Sequence, residues 1–102
     1  IIKLQYNSET TDKDCNDDRG AEYVRENIFD LCSILGASNV RQARDIVTLL
    51  MIKIGLKIRL RYLGIKKSNL KDIAKSVNYE RLKNNPRNIS LENLMEILKE
   101  LY

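Results

Sequence analysis

A chain of 102 residues is one domain or a piece of one, and a domain of this size buries about two-thirds of the surface its unfolded chain exposes. Ile, Leu and Val supply most of the apolar content and tryptophan is absent, which favours helix packing over an all-β sandwich, while a pI near 9.1 leaves phosphate-bearing partners open. The chain has no histidine, so it supplies no Ser-His-Asp triad, no Cys-His pair and no imidazole ligand for zinc or iron.

No run approaches about eighteen apolar residues, so no segment is expected to span a membrane. The most apolar run, Leu49-Leu50-Met51-Ile52, is closed off by Lys53 and Lys57, and the opening Ile1-Ile2-Lys3-Leu4 lacks the shape of a secretion signal. Because the chain starts at Ile1 rather than Met, an upstream part is expected. Cys15 and Cys32 are spaced too widely for a zinc or redox pattern and are read as free thiols in a reducing cytoplasm. Cys32 falls inside a helical apolar pattern and is read as a small core filler.

In chain order, residues 1–7 read as the tail of an element that begins upstream, and 8–20 as an acidic, mobile loop carrying Glu9, Asp12, Asp14, Asp17 and Asp18. Residues 21–102 are expected to form the helical bundle. Over 21–35, Val24, Ile28, Leu31 and Leu35 recur at helical spacing and Gly36 is placed to end the helix in a left-handed cap. Ser38 or Asn39 starts a second helix over 40–54, whose stripe of Val40, Ala43, Val47, Leu50 and Ile54 is widened by Ile46, Leu49, Met51 and Ile52. That width predicts the centre of the core. A connector over 56–63 should point Leu56, Ile58, Leu60 and Leu63 inward and Lys57, Arg59 and Arg61 outward. Ser68 or Asn69 is placed to cap a short helix marked by Leu70, Ile73, Ala74 and Val77.

The only proline, Pro86, bars helix at Asn85. Ser90 then caps a closing helix in which Leu91, Leu94, Met95, Leu98, Leu101 and Tyr102 share a face. Asn85, Pro86 and Arg87 are read as a structural turn: asparagine ties turns through its side chain, and a guanidinium binds several helix-end carbonyls at once. The expected fold is therefore all-α, a small bundle of about four to five helices.

Three segments, Gly55 to Ile65, Asn69 to Ala74 and Asn84 to Leu94, together resemble the C-terminal end of the iron-containing (group III) alcohol dehydrogenase family. There a Leu-rich turn between glycines precedes a short helix, an Asn-Pro-Arg turn and a closing Ser/Thr-x-Glu-Asp helix. Upstream, Ile1 to Asn7 is similar to the family's segment ending in Phe/Tyr-Asn, and Glu22 to Gly36 to its next helix. The resemblance implies a piece of a dehydroquinate synthase-like helical domain from an NAD(P)-dependent oxidoreductase of small alcohols and aldehydes. In such enzymes one aspartate and three histidines hold iron or another divalent metal, which polarises the substrate oxygen while nicotinamide exchanges hydride.

The match begins after the last of those histidines, so no catalytic, metal-binding or cofactor-binding residue is assigned here, and the chain alone is expected to be inactive. Lys57 stands where the family has proline, and the cysteine that many members carry before Asn-Pro-Arg is absent. Carried over by position, Arg81, Leu82 and Asn84 are candidate lining of the substrate pocket. The expected partners are the missing N-terminal part or a second copy. The rival reading is a small basic nucleic-acid-binding module, drawn from Lys53, Lys57, Arg59, Arg61, Lys66, Lys67, Lys71 and Lys75, but the helix near Leu70 lacks a compact set of base-reading residues.

Overall fold

Helix boundaries fall where local chemistry puts them. The Asn39 side chain accepts the Gln42 amide at 2.9 Å and opens α3 (Val40–Lys53). Ser90 accepts the Asn93 amide at 3.1 Å while Asn93 returns a bond to the Ser90 amide, a reciprocal cap that opens α6 (Leu91–Leu101). Gly36 and Gly55 take φ of 75° and 82°, a left-handed turn that only glycine adopts freely, directly after α2 (Ala21–Ile34) and α3.

The computed structural model describes residues 2–102, with side chains from Leu4 onward. Besides α2, α3 and α6 it contains α1 (Ile2–Ser8), α4 (Leu70–Ser76) and α5 (Tyr79–Leu82), with 3-10 turns at Leu60–Leu63 and Lys67–Asn69. Among the described residues there is no strand, and no helix is long and apolar enough to cross a membrane. The all-α expectation holds. Residues 2–8 form a helix, and Ile1, the first residue of the expected tail, lies outside the described residues. Neither Ser68 nor Asn69 caps α4: the 3-10 turn leads straight into it, and Asn69 instead accepts the Lys66 amide at 3.0 Å.

The core sits elsewhere than the hydrophobic stripe of α3 predicts. Leu70, Ala74 and Leu98 form its buried centre, with Leu60, Ile65, Ile73, Leu91, Leu94, Met95 and Tyr102 around them, so α4 packs on α6. A second packing unit joins α1, α2 and α3 and buries Ala21, Val24, Cys32 and Ala43. In α3 only Ala43 is buried, whereas Leu49 and Leu50 are 58% and 57% exposed. A helix apolar on more than one side needs neighbours on more than one side, and this chain supplies them on one. In the connector, Leu56 and Leu63 are likewise exposed, against the inward expectation. Arg59 turns inward to donate to the Glu100 carbonyl at 2.5 Å, near the end of α6.

Candidate functional site

A dense polar constellation is built where α5 ends. Pro86 forbids helix, so the chain leaves α5 through Asn84 and Asn85 in an open turn whose amides bond back to the Arg81 and Leu82 carbonyls at 3.2 and 2.9 Å. From there 85–88 lies alongside 14–16. The Asn16 amide donates to the Pro86 carbonyl and the Asn88 amide to the Asp14 carbonyl, each at 2.7 Å, making a short antiparallel bridge between Cys15 and Arg87.

Two carboxamides close the centre. Asn7, the last but one residue of α1, donates to Asn85 Oδ1 at 3.0 Å, and Asn85 donates to Asn7 Oδ1 at 2.8 Å and to the Arg87 carbonyl at 2.6 Å. Both are buried, at 9% and 4% exposure. Only two amide groups, each carrying donor and acceptor, make such a reciprocal pair. Asn16 adds a bond to the Asn85 carbonyl at 3.1 Å. Buried Thr10 donates to the Asn7 carbonyl at 2.6 Å, and Arg25 of α2 binds the Thr10 carbonyl at 2.7 Å.

Arg87 is the second anchor. Its Nε meets Asp14 Oδ2 at 2.9 Å and its Nη1 the Tyr6 carbonyl at 3.0 Å, with Glu9 Oε2 at 3.6 Å. The guanidinium stacks over the Tyr6 ring, 4.2 Å from its centre, and the Tyr6 hydroxyl donates to the Asn88 carbonyl. One planar cation thus fastens the C-terminal end of α1, through the Tyr6 carbonyl that also accepts the Glu9 amide, to the 9–14 loop.

Electrostatics follow the contacts. Partial burial alone would raise the Asp14 pKa, but the Thr11 amide and the Arg87 guanidinium outweigh it and hold the carboxyl below its ordinary 3.8. Burial would likewise lower Arg87, and its bond to Asp14 with the nearby Tyr6 and Glu9 raises it instead. Burial raises the Tyr6 phenol above 10.0 despite the opposing pull of Arg87. At the rim, hydrogen bonds from Arg19 bring Asp17 down to about 2, and Arg19 stacks on Tyr23 at 4.1 Å.

Asp14 and Asp17, with folded pKa values below the unfolded ones, contribute stability that is complete above the ordinary carboxylate range and is lost as pH falls through the folded values. The melting temperature is therefore expected to be flat from about pH 5 to 7 and to drop below about pH 4. The drop should be shallower in Asp14→Asn. Melting curves against pH check this.

The expected pocket residues part company. Asn84 is exposed and lines an open recess of about 460 Å³ with Asn16, Asp17, Arg19 and Pro86 among others; Arg81 and Leu82 are not in its wall. Asn85, Pro86 and Arg87 form the turn expected of them. Arg87, however, binds one helix-end carbonyl and two carboxylates, and it fastens α1 and the acidic loop rather than α6. The 8–20 segment, expected to be mobile, is tied to 85–88 by backbone and side-chain bonds. Tyr6, Asn7 and Asp14 are the partners that sequence reading did not assign. Only Tyr6-Asn7 had a signal, through the resemblance at the end of the first segment.

A cleft of about 490 Å³ borders the knot, lined by Tyr6, Glu9, Arg44, Arg87, Glu96 and Glu100 among others. Arg44 is taken up by Gln5 at 2.8 Å. Among the described residues every buried side-chain polar atom has a partner, and no three Cys, Asp or Glu side chains converge as metal ligands. The donor set of this chain therefore does not fit the iron that the resemblance implies. The knot is built to hold elements together. The basic residues of 53–75 are exposed apart from Arg59.

No family model, curated protein or solved structure matches this chain.

Proposed function

We propose that this chain is the C-terminal helical part of an NAD(P)-dependent, iron-containing alcohol dehydrogenase, a cytoplasmic oxidoreductase of small alcohols and aldehydes. The observation that carries the reading is the pair Asn7–Asn85. The resemblance to that family starts at a Tyr-Asn pair and ends through an Asn-Pro-Arg turn, and these two stretches, 78 residues apart in the chain, meet in one buried contact. A contact between two of the stretches that carry the resemblance is what one shared arrangement would require.

Exposed area supports the same reading. The chain exposes 7288 Å², where an independent monomer of 11.9 kDa is expected to expose about 6,000 Å². Its radius of gyration is 14.7 Å and its thinnest dimension 17 Å, against about 13 Å for the radius of a compact domain of this length. Much of the excess is the apolar surface of α2, α3 and the connector, the kind of surface that the rest of a larger body covers.

In this reading the metal and the dinucleotide are held upstream, and the chain contributes the fastened end of the helical domain. The expected result is no oxidation of NADH or NADPH with small aldehydes by residues 1–102 alone, and iron-dependent oxidation once the upstream part is joined to it. Turnover by residues 1–102 purified to homogeneity contradicts the proposal.

A further inference from the structure

Two exposed surfaces carry opposite net charge. On α2, Glu22, Glu26 and Asp30 follow one another at i, i+4 and i+8 and so form a stripe, beside Phe29, which is 65% exposed. Glu22, Glu26, Phe29 and Asp30 line one shallow depression together with Arg25, whose guanidinium is held by the Thr10 carbonyl, so three carboxylates face one cation there. On the other side of the sequence, Lys53, Lys57 and Arg61 are exposed around Ile54, Leu56 and Leu63, which are 64%, 50% and 60% exposed. No carboxylate occurs from Ile46 to Lys71. Among the described residues none of these charges makes an ion pair.

We propose that the chain by itself assembles head to tail, the acidic, Phe29-bearing face of α2 on one copy docking on the basic, apolar surface of 53–63 on the next. The two faces belong to different parts of the same chain, so the contact is heterologous: each copy that docks still offers a free face of each kind, and growth does not stop at a dimer. Charge chooses the pairing, because acidic on acidic and basic on basic repel while acidic on basic attracts. Area sets the strength. If the excess of about 1,300 Å² per chain is shared between the two faces, each contact buries about 1,300 Å² in total, at the low end of specific interfaces. A weak, concentration-dependent and salt-sensitive assembly follows. It does not depend on the family assignment, since it uses only this chain's own surface.

Sedimentation velocity across concentration and salt tests it. For the unmodified chain the average mass is expected to rise past that of a dimer with concentration, and raising salt should weaken the apparent affinity about tenfold. K57E/R61E makes both faces acidic and E26K/D30K makes both basic, so each alone should be monomeric, and an equimolar mixture should assemble past a dimer again, because every contact then pairs an acidic face with a basic one. All four side chains are exposed, and circular dichroism verifies that both variants fold. The salt series on the unmodified chain is a second measurement free of any folding change. An unmodified chain that stays monomeric throughout, assembly that persists in either variant, or a mixture that does not pair overturns the proposal.

Discussion

Replacing Asn85 with alanine is expected to lower the melting temperature by roughly 10 to 20 °C, the largest effect of any single polar substitution in the chain. The argument is one of unpaired groups. Asn85 Nδ2 reaches Asn7 Oδ1 and the Arg87 carbonyl, and its Oδ1 receives Asn7 Nδ2. Truncation leaves the Asn7 amide and the Arg87 carbonyl without those partners in a site too enclosed for free exchange with water. An orphaned buried donor or acceptor costs about 1–3 kcal/mol, so two cost about 2–6 kcal/mol. A double change of Asn7 and Asn85 to alanine should cost clearly less than the sum of the two singles, because the second removal orphans little more. Additive losses in thermal melts would mean that the carboxamide pair does not act as a unit.

Arg87→Ala is expected to destabilise by about 2 kcal/mol near neutral pH, the value for a partly buried ion pair discounted for its solvent exposure. The side chains of Arg87 and Asp14 are 21% and 29% exposed, so the change strands a half-buried carboxylate and removes the stack on Tyr6. Arg87→Lys should recover less than half of the loss, since one ammonium cannot serve Asp14, the Tyr6 carbonyl and the aromatic face together. The pH dependence separates this from loss of packing. Asp14 has a folded pKa below its unfolded value, so its contribution is present above the ordinary carboxylate range and lost as pH falls through the folded value. The gap between the original chain and Arg87→Ala should therefore narrow below about pH 4. A gap that stays constant into acid would show that the ion pair is not what Arg87 contributes.

Local chemistry made much of the fold readable in advance. Asn39, Ser90, Gly36 and Gly55 mark helix ends by capping and backbone preference, and each does so in the folded chain. The face of α6 was legible because Leu91, Leu94, Met95 and Leu98 have a partner within the chain, namely Leu70 and Ala74 of α4. The stripe of α3 obeys the same periodicity, but α1 and α2 cover only part of it, burying Ala43 and leaving Leu50 and Ile54 exposed. Hydrophobic spacing tells which side chains want burial and is silent on whether anything is there to bury them. Leu49 and Leu50 therefore misled where Leu98 did not. For the knot, Pro86 announced the break and Arg87 an anchor, but Asp14 looked like any solvated acid in a polar loop. Its role depends on a contact 73 residues away in sequence, which no local pattern encodes.

The exposed surface and the knot have one physical explanation in common. The chain secures its own termini with buried amides and a guanidinium, and it leaves open the apolar sides of α2 and α3. Large exposed apolar surface of this kind is where association is expected.

The most direct test of the proposed assignment is the sequence of the reading frame that leads into residue 1. The account predicts in-frame histidines spaced as metal ligands within the preceding helical region, and before them an α/β domain with a glycine-rich phosphate-binding turn. A frame that encodes neither would contradict it.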